Sequence, residues 1–217
     1  MATYPRYGII TLLILAFVGV FAQTVSNPKL KALKETFEQK EERVRQAWFD
    51  SAKAENWVRE KTNHNDHPRI YLYNKVAGSP KNAPYCAAGL YFTATLAGLK
   101  LPITTPAAVR SWFADPKKII YTKSQPGRFI QMPKKMDVVW LYQSHIEGLA
   151  EPIRRDIDDD DYITTVAFNS QGNNPKQGVY FPMRRRWRDV RKVANHITPY
   201  LKKLAKDEAA ILAKESR

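Results

Sequence analysis

Between Pro84 and Gly98 the chain runs YCAAGLYFTATLA, thirteen residues without a formal charge. A helix that is apolar all round has no face to offer water and must be covered on every side. Pro84 before the run and Gly98 after it supply the start and stop signals of such a helix. The flanking sequence holds the covering layers in two textures. On the N-terminal side, Asn27-Pro28 is a cap-plus-proline start. Leu30, Leu33, Phe37, Val44 and Trp48 then recur at helical spacing among Lys, Glu and Arg, predicting an amphipathic helix from about Pro28 to the low fifties. Shorter helices are expected over residues 56–61 and 70–76, and from Thr105-Pro106 to about Phe113.

After Asp115-Pro116 the texture changes. Residues 137–142, 145–150, 162–168, 178–183 and 190–197 are short runs rich in Val, Ile, Tyr and Phe, separated by polar or Gly/Pro segments. These are the signs of an antiparallel sheet. Helices first and strands second is the order of an α+β domain. A last helix is expected over residues 198–217, where Leu201, Leu204, Ala205, Ile211 and Leu212 make a patchy apolar face.

Charge and cysteine content narrow the class of partner. Lys plus Arg number 35 against 21 Asp plus Glu, a formal charge of +14, which points to an anionic partner. A single cysteine excludes an internal disulfide framework and a multi-cysteine zinc site. Residues 8–22, GIITLLILAFVGVFA, follow Arg6 and end with Val20 and Ala22 at the −3 and −1 positions of a cleavage site. Fifteen apolar residues suit a signal-peptide core better than a bilayer span of ~20. The expectation is an exported protein, periplasmic or extracellular, with residues 1–22 as signal peptide and an uncleaved anchor as the other form. Removing them takes away Arg6 and no acid, leaving +13. Export disfavours nucleic acid as the partner.

Cys86 opens the apolar helix, where unpaired backbone N–H groups and the helix dipole stabilise a thiolate and can hold an oxyanion. A thiolate needs a base that returns a proton to the leaving amine. His145 lies at the start of an expected strand 59 residues on, and Asn169, at the end of the next strand, is the candidate to hold its ring. Cys, His and then Asn from a helix and successive strands is a papain-type layout. A lone Cys beside Ala-Ala is equally the pattern of a small buried hydrophobe.

These residues resemble a known family. Trp57-Val58-Arg59-Glu60-Lys61-Thr62 with Asn65-Asp66, then Ala83-Pro84-Tyr85-Cys86-Ala87-Ala88, is similar to the front half of the CHAP domain, the cysteine, histidine-dependent amidohydrolase/peptidase family among the NlpC-type cell-wall hydrolases. Asp137-Val138-Val139-Trp140, Ser144 to Gly148, Phe168-Asn169-Ser170 and Gly178-Val179-Tyr180 followed by three arginines resemble its later strands. The resemblance implies a papain-like α+β domain, its N-terminal helices packed on an antiparallel sheet. It implies a catalytic domain over 56–197, a helical extension over 23–55 and a basic helix over 198–217. The family's roles fall on Cys86 as nucleophile, His145 as base and Asn169 as orienter, and the implied reaction is peptidoglycan amide hydrolysis through a thioester, with no metal or organic cofactor. Asn82 and Tyr85 are candidates for the oxyanion site and substrate groove. Met136 and Ser144 stand where the family has glycine, and Ala167 where many members have Glu.

Amidase and endopeptidase action both fit these residues. The alternative is a CHAP-like wall- or surface-binding module without turnover. A basic nucleic-acid binder rests only on charge and on Arg184-Arg185-Arg186-Trp187-Arg188. Residues 184–217 hold 11 Lys or Arg against four acids, so teichoic acids, peptidoglycan carboxylates or a membrane surface would attract them. The acidic run at 156–161 lacks the Gly and Glu of a calcium loop and reads as solvated, and His64 and His67 read as part of a polar loop.

Overall fold

The computed structural model describes residues 35–125 and 129–215. Five α-helices are found there: α1 (Phe37–Lys53), α2 (Pro68–Val76), α3 (Cys86–Leu96), α4 (Val109–Trp112) and α5 (Ile197–Glu215). The strands are β1 (Ile119–Thr122), β2 (Val138–Leu141), β3 (His145–Leu149), β4 (Tyr162–Gln171), β5 (Gln177–Arg186) and β6 (Val190–Ala194). They form a single antiparallel sheet of order β1-β6-β2-β3-β4-β5. The architecture is α+β.

The uncharged helix α3 is buried as its sequence demands, from Cys86 through Leu90 and again at Phe92, Thr93 and Ala94. It packs on α1 and α2 on one side and on β3 and β4 on the other. Gly89 allows the close approach to the sheet: a Cβ there would lie 2.1 Å from a ring carbon of Phe168. Trp48 of α1 locks the helix pair by donating its indole N–H to Leu90 O and Thr93 Oγ1, both at 3.2 Å.

The sheet is covered on both faces, which is why residues 138–141 are apolar without alternation. Val138 joins the core beneath the helices, where Trp140 packs half-buried. Val139 and Leu141 join a second core with Tyr121, Leu149, Ile163, Trp187 and Val193.

A buried charge cluster fixes α1 to the sheet and to α5. Arg45 is fully buried and donates to Glu41 Oε1 from Nε (3.0 Å) and Nη2 (2.8 Å), and to Asp137 Oδ1 from Nη1 at 2.8 Å. It also reaches Lys135 O, Asn195 Oδ1 and Thr198 Oγ1. Burial pushes the Asp137 carboxyl up to about 6 despite the opposing charge of Arg45. Glu41 also feels burial, but hydrogen bonds from Thr198 and Arg45 hold it below the usual carboxylate range. Asp137 directly precedes β2, which pairs with β3 in a register that sets Leu141 opposite His145. The cluster therefore anchors the hairpin that carries the histidine.

Several sequence expectations are corrected. Glu35 and Thr36 are not helical, so no single helix runs from Pro28 to the fifties; residues 27–34 lie outside the described residues, as does the expected signal peptide at 1–22. Trp48, Phe49 and Ala52 of α1 belong to the main core. Residues 56–61 are not a helix. Val58 O accepts from Val179 N (3.0 Å) and Glu60 N donates to Gln177 O (2.9 Å), so this segment pairs with β5. Gly178 makes that pairing possible, because a Cβ there would lie 2.3 Å from Val58 O. Of the helix expected to reach Phe113 only α4 forms, and β1 was not expected. Among the described residues no helix is long and apolar enough to cross a membrane.

Candidate active site

Cys86 is the first residue of α3 and is 7% exposed. The residue before it, Tyr85, lies outside the helical region at φ −122° and ψ 17° and gives no side-chain cap. The first N–H groups of a helix have no partner within it. Those of α3 therefore remain donors at the point where the sulfur sits, the arrangement needed to hold negative charge on sulfur or on an attacked carbonyl oxygen.

His145 opens β3, and its imidazole lies near enough to the Cys86 thiol for the two to influence each other electrostatically. Its Nε2 lies 3.0 Å from Oε1 of Glu147. Residues two apart on a strand share a face, so the backbone itself delivers the carboxylate to the ring. Glu147 is fully buried. Its Oε2 accepts from Thr165 Oγ1 at 2.5 Å. Arg185 of β5 donates Nε to Oε1 (2.9 Å) and Oε2 (3.1 Å) and Nη2 to Oε1 (2.5 Å). The same Nη2 donates to Ser170 Oγ at 2.7 Å.

The charges follow from this geometry. Burial opposes a charged imidazole, but the interactions with Cys86 and with the Glu147 carboxylate outweigh it and push His145 up to about 9. Burial likewise opposes a charged Glu147. The bonds from His145 and Arg185 overcome it, and the carboxyl is held below its ordinary value. At neutral pH the row is a guanidinium, a carboxylate and an imidazolium, ending at the sulfur. A polar cleft of about 520 Å³ opens beside it, lined by His145, Asn169, Ser170, Gln171, Gln177 and Arg185 together with Leu141, Tyr142 and Asp189.

The glycine-deviant positions are backbone-special. Ser144 has φ +57° and Met136 φ +59°, in the left-handed region that glycine favours. The chain keeps the backbone path of a glycine while carrying a side chain. Asn169 is also left-handed, at φ +52°. The β4–β5 register shifts between Ala167 and Ser170, so Asn169 sits in a bulge that turns it out of the ladder.

The contacts of the other expected site residues differ from the sequence expectation. Asn169 lines the same cleft as His145, while the group bonded to Nε2 is the Glu147 carboxylate, which sequence spacing did not single out. The Tyr85 hydroxyl is not an oxyanion donor. It is fully buried and donates to Glu60 Oε1 at 3.0 Å, while the Asn169 backbone N–H bonds to it from the other side. Asn82 is exposed, and its carbonyl accepts from Asn65 Nδ2 at 2.9 Å. Cys86 and His145 are brought together as expected.

Glu147 and Arg185 were missed by the sequence reading. The His-Ile-Glu alternation was a usable signal for the first; for the second nothing local marks one arginine among three. His67 Nδ1 accepts from Arg69 N as the cap of α2, and the His64 ring bonds within its own loop. The acidic run at 156–161 is an exposed turn closed by Asp158 and Asp161. Among the described residues no group of three or more His, Cys, Asp or Glu is placed to hold a metal ion. No family model, no curated protein and no solved structure matches the chain.

Proposed function

We propose that the chain is a papain-like cysteine hydrolase of amide bonds, resembling the CHAP amidohydrolases and acting on peptidoglycan outside the cytoplasm. The observation that carries the reading is the placement of the only cysteine at the start of a buried helix, in electrostatic contact with a histidine whose Nε2 is held by a buried carboxylate. That combination is costly in a structure that does not use it, because it buries an imidazolium and a carboxylate together.

In this reading the Cys86 thiolate attacks the carbonyl carbon of the scissile amide, and the oxyanion forms against the free N–H groups of α3. The His145 imidazolium gives its proton to the leaving amine as the C–N bond breaks, producing a thioester. His145, now neutral, takes a proton from water; the hydroxide attacks the thioester carbonyl, the C–S bond breaks, and the acid leaves with the thiolate–imidazolium pair restored. Glu147 keeps the ring in one orientation throughout and offsets its positive charge. Amidase and endopeptidase specificity share these steps. The strongly basic surface would hold the enzyme on an anionic wall polymer.

The test incubates the full chain and its Cys86→Ala variant with purified peptidoglycan and identifies soluble fragments by mass spectrometry. New amine and carboxyl termini produced by the unaltered chain alone support the reading and name the bond. Binding of both with cleavage by neither, across several wall types, rejects hydrolysis and leaves a wall-binding module.

A further inference from the structure

Arg185 is placed unlike its neighbours Arg184 and Arg186. Those two lie over the exposed ring of Tyr162, on the outside of β5. Arg185 turns to the other face, where its side chain is 26% exposed and Glu147 is 0% exposed. It grips both oxygens of that carboxylate and is itself fixed by Ser170. A planar guanidinium on a carboxylate in this forked geometry sets orientation as well as charge.

Glu147 needs such a partner. Its two oxygens carry bonds to His145, Thr165 and Arg185, and only Arg185 touches both as a cation from outside the strand pair β3–β4. Without it the carboxylate would have one cation, His145, and a rotatable bond. Cys86 from α3 and Glu147 on its own strand act on the imidazole, and Arg185, Asp189 and Tyr142 line the cleft it opens into.

We propose that Arg185 is a positioning residue of the site: through Glu147 it fixes the plane of the His145 ring and limits how strongly the carboxylate holds the ring's proton. The proposal rests on Cys86 and His145 acting as a nucleophile–base pair. It makes no claim on the substrate, and it can be read without one, because Cys86 is the only cysteine and its alkylation reports on that pair alone.

Two consequences follow for Arg185→Gln. The carboxylate, no longer shared, attracts the imidazolium more strongly, so the ring keeps its proton to a pH about one unit higher. The freed carboxylate no longer fixes the ring, fewer rings point at the sulfur, and Cys86 alkylation slows by about tenfold, the scale of losses seen when an outer partner of a working group is removed.

The experiment measures the rate of Cys86 alkylation by iodoacetamide at pH 7 and the NMR titration of the His145 ring. It uses the unaltered chain, Arg185→Gln, Arg185→Lys and His145→Ala, each checked for folding by circular dichroism. Arg185→Lys restores the charge without the fork and should recover the ring titration but only part of the rate. If the Gln variant does not fold, the Lys variant carries the test through its rate. An unshifted ring titration with an alkylation rate within twofold, in whichever variant folds, overturns the proposal and leaves Arg185 a structural arginine of the hairpin. Equal rates for His145→Ala and the unaltered chain would instead remove the Cys86–His145 pair, and with it the hydrolase reading.

Discussion

Ser144 and Met136 share a backbone conformation and should respond oppositely to glycine. At φ +57° and +59° each L-residue bears a left-handed penalty of about 1–2 kcal/mol. Glycine removes that penalty but adds freedom to the unfolded chain, about 0.4–1 kcal/mol. Ser144 is exposed and its hydroxyl makes no hydrogen bond, so nothing else is lost. Ser144→Gly should therefore stabilise by about 0.5–1 kcal/mol. Met136 is fully buried, and its methyl lies where it would meet a Cβ on Gly148 at 2.9 Å. Removing a buried side chain of that size costs about 2–5 kcal/mol, several times the backbone gain. Met136→Gly should be less stable by about 2–4 kcal/mol. Urea denaturation of the two variants beside the unaltered chain, with equal slopes, measures both. A destabilised Ser144→Gly would refute the claim that the position before His145 keeps a glycine's backbone at a cost.

The pH response follows from His145. Its pKa is raised in the folded state to about 9, so its contribution to stability is complete below the ordinary histidine value and is lost as pH rises through about 9. The thermal midpoint should fall across that window, and the fall should be smaller in His145→Ala. The proposed hydrolysis, with the imidazolium as its acid, should decline with a midpoint near 9. Gly89→Ala should push α3 off Phe168, costing about 1–3 kcal/mol in urea denaturation and slowing Cys86 alkylation as the sulfur leaves the ring.

The local elements were legible because their signals are local. Pro84, Gly98 and the uncharged run between them bound α3 to within a residue, and the β-branched runs located five of six strands. What failed was settled by distant partners. Residues 58–60 look helical in isolation, and their pairing with β5 depends on Gly178, some 120 residues away. Strand β1 is only four residues, flanked by lysines, and exists because β6 lies beside it. At the site, the helix end and the histidine could be read from spacing. The third member could not be chosen that way, since Asn169 and Glu147 both suit a strand face near His145. A bulge decided between them by turning one out of the ladder while burying the other under Arg185.

The Arg45 cluster has a consequence for how the chain is made. Its hydrogen bonds join residue 45 to residues 137, 195 and 198, so the first described helix is completed by nearly the last. A growing chain that has not yet delivered Asn195 and Thr198 holds an arginine whose site is unfinished, and burying that cation unpaired is prohibitive. Sheet closure waits for the same stretch, because β6 lies between β1 and β2. Neither the cluster nor the sheet can be completed until residues 190–198 are in place. Folding of the domain is expected to be governed by this long-range closure.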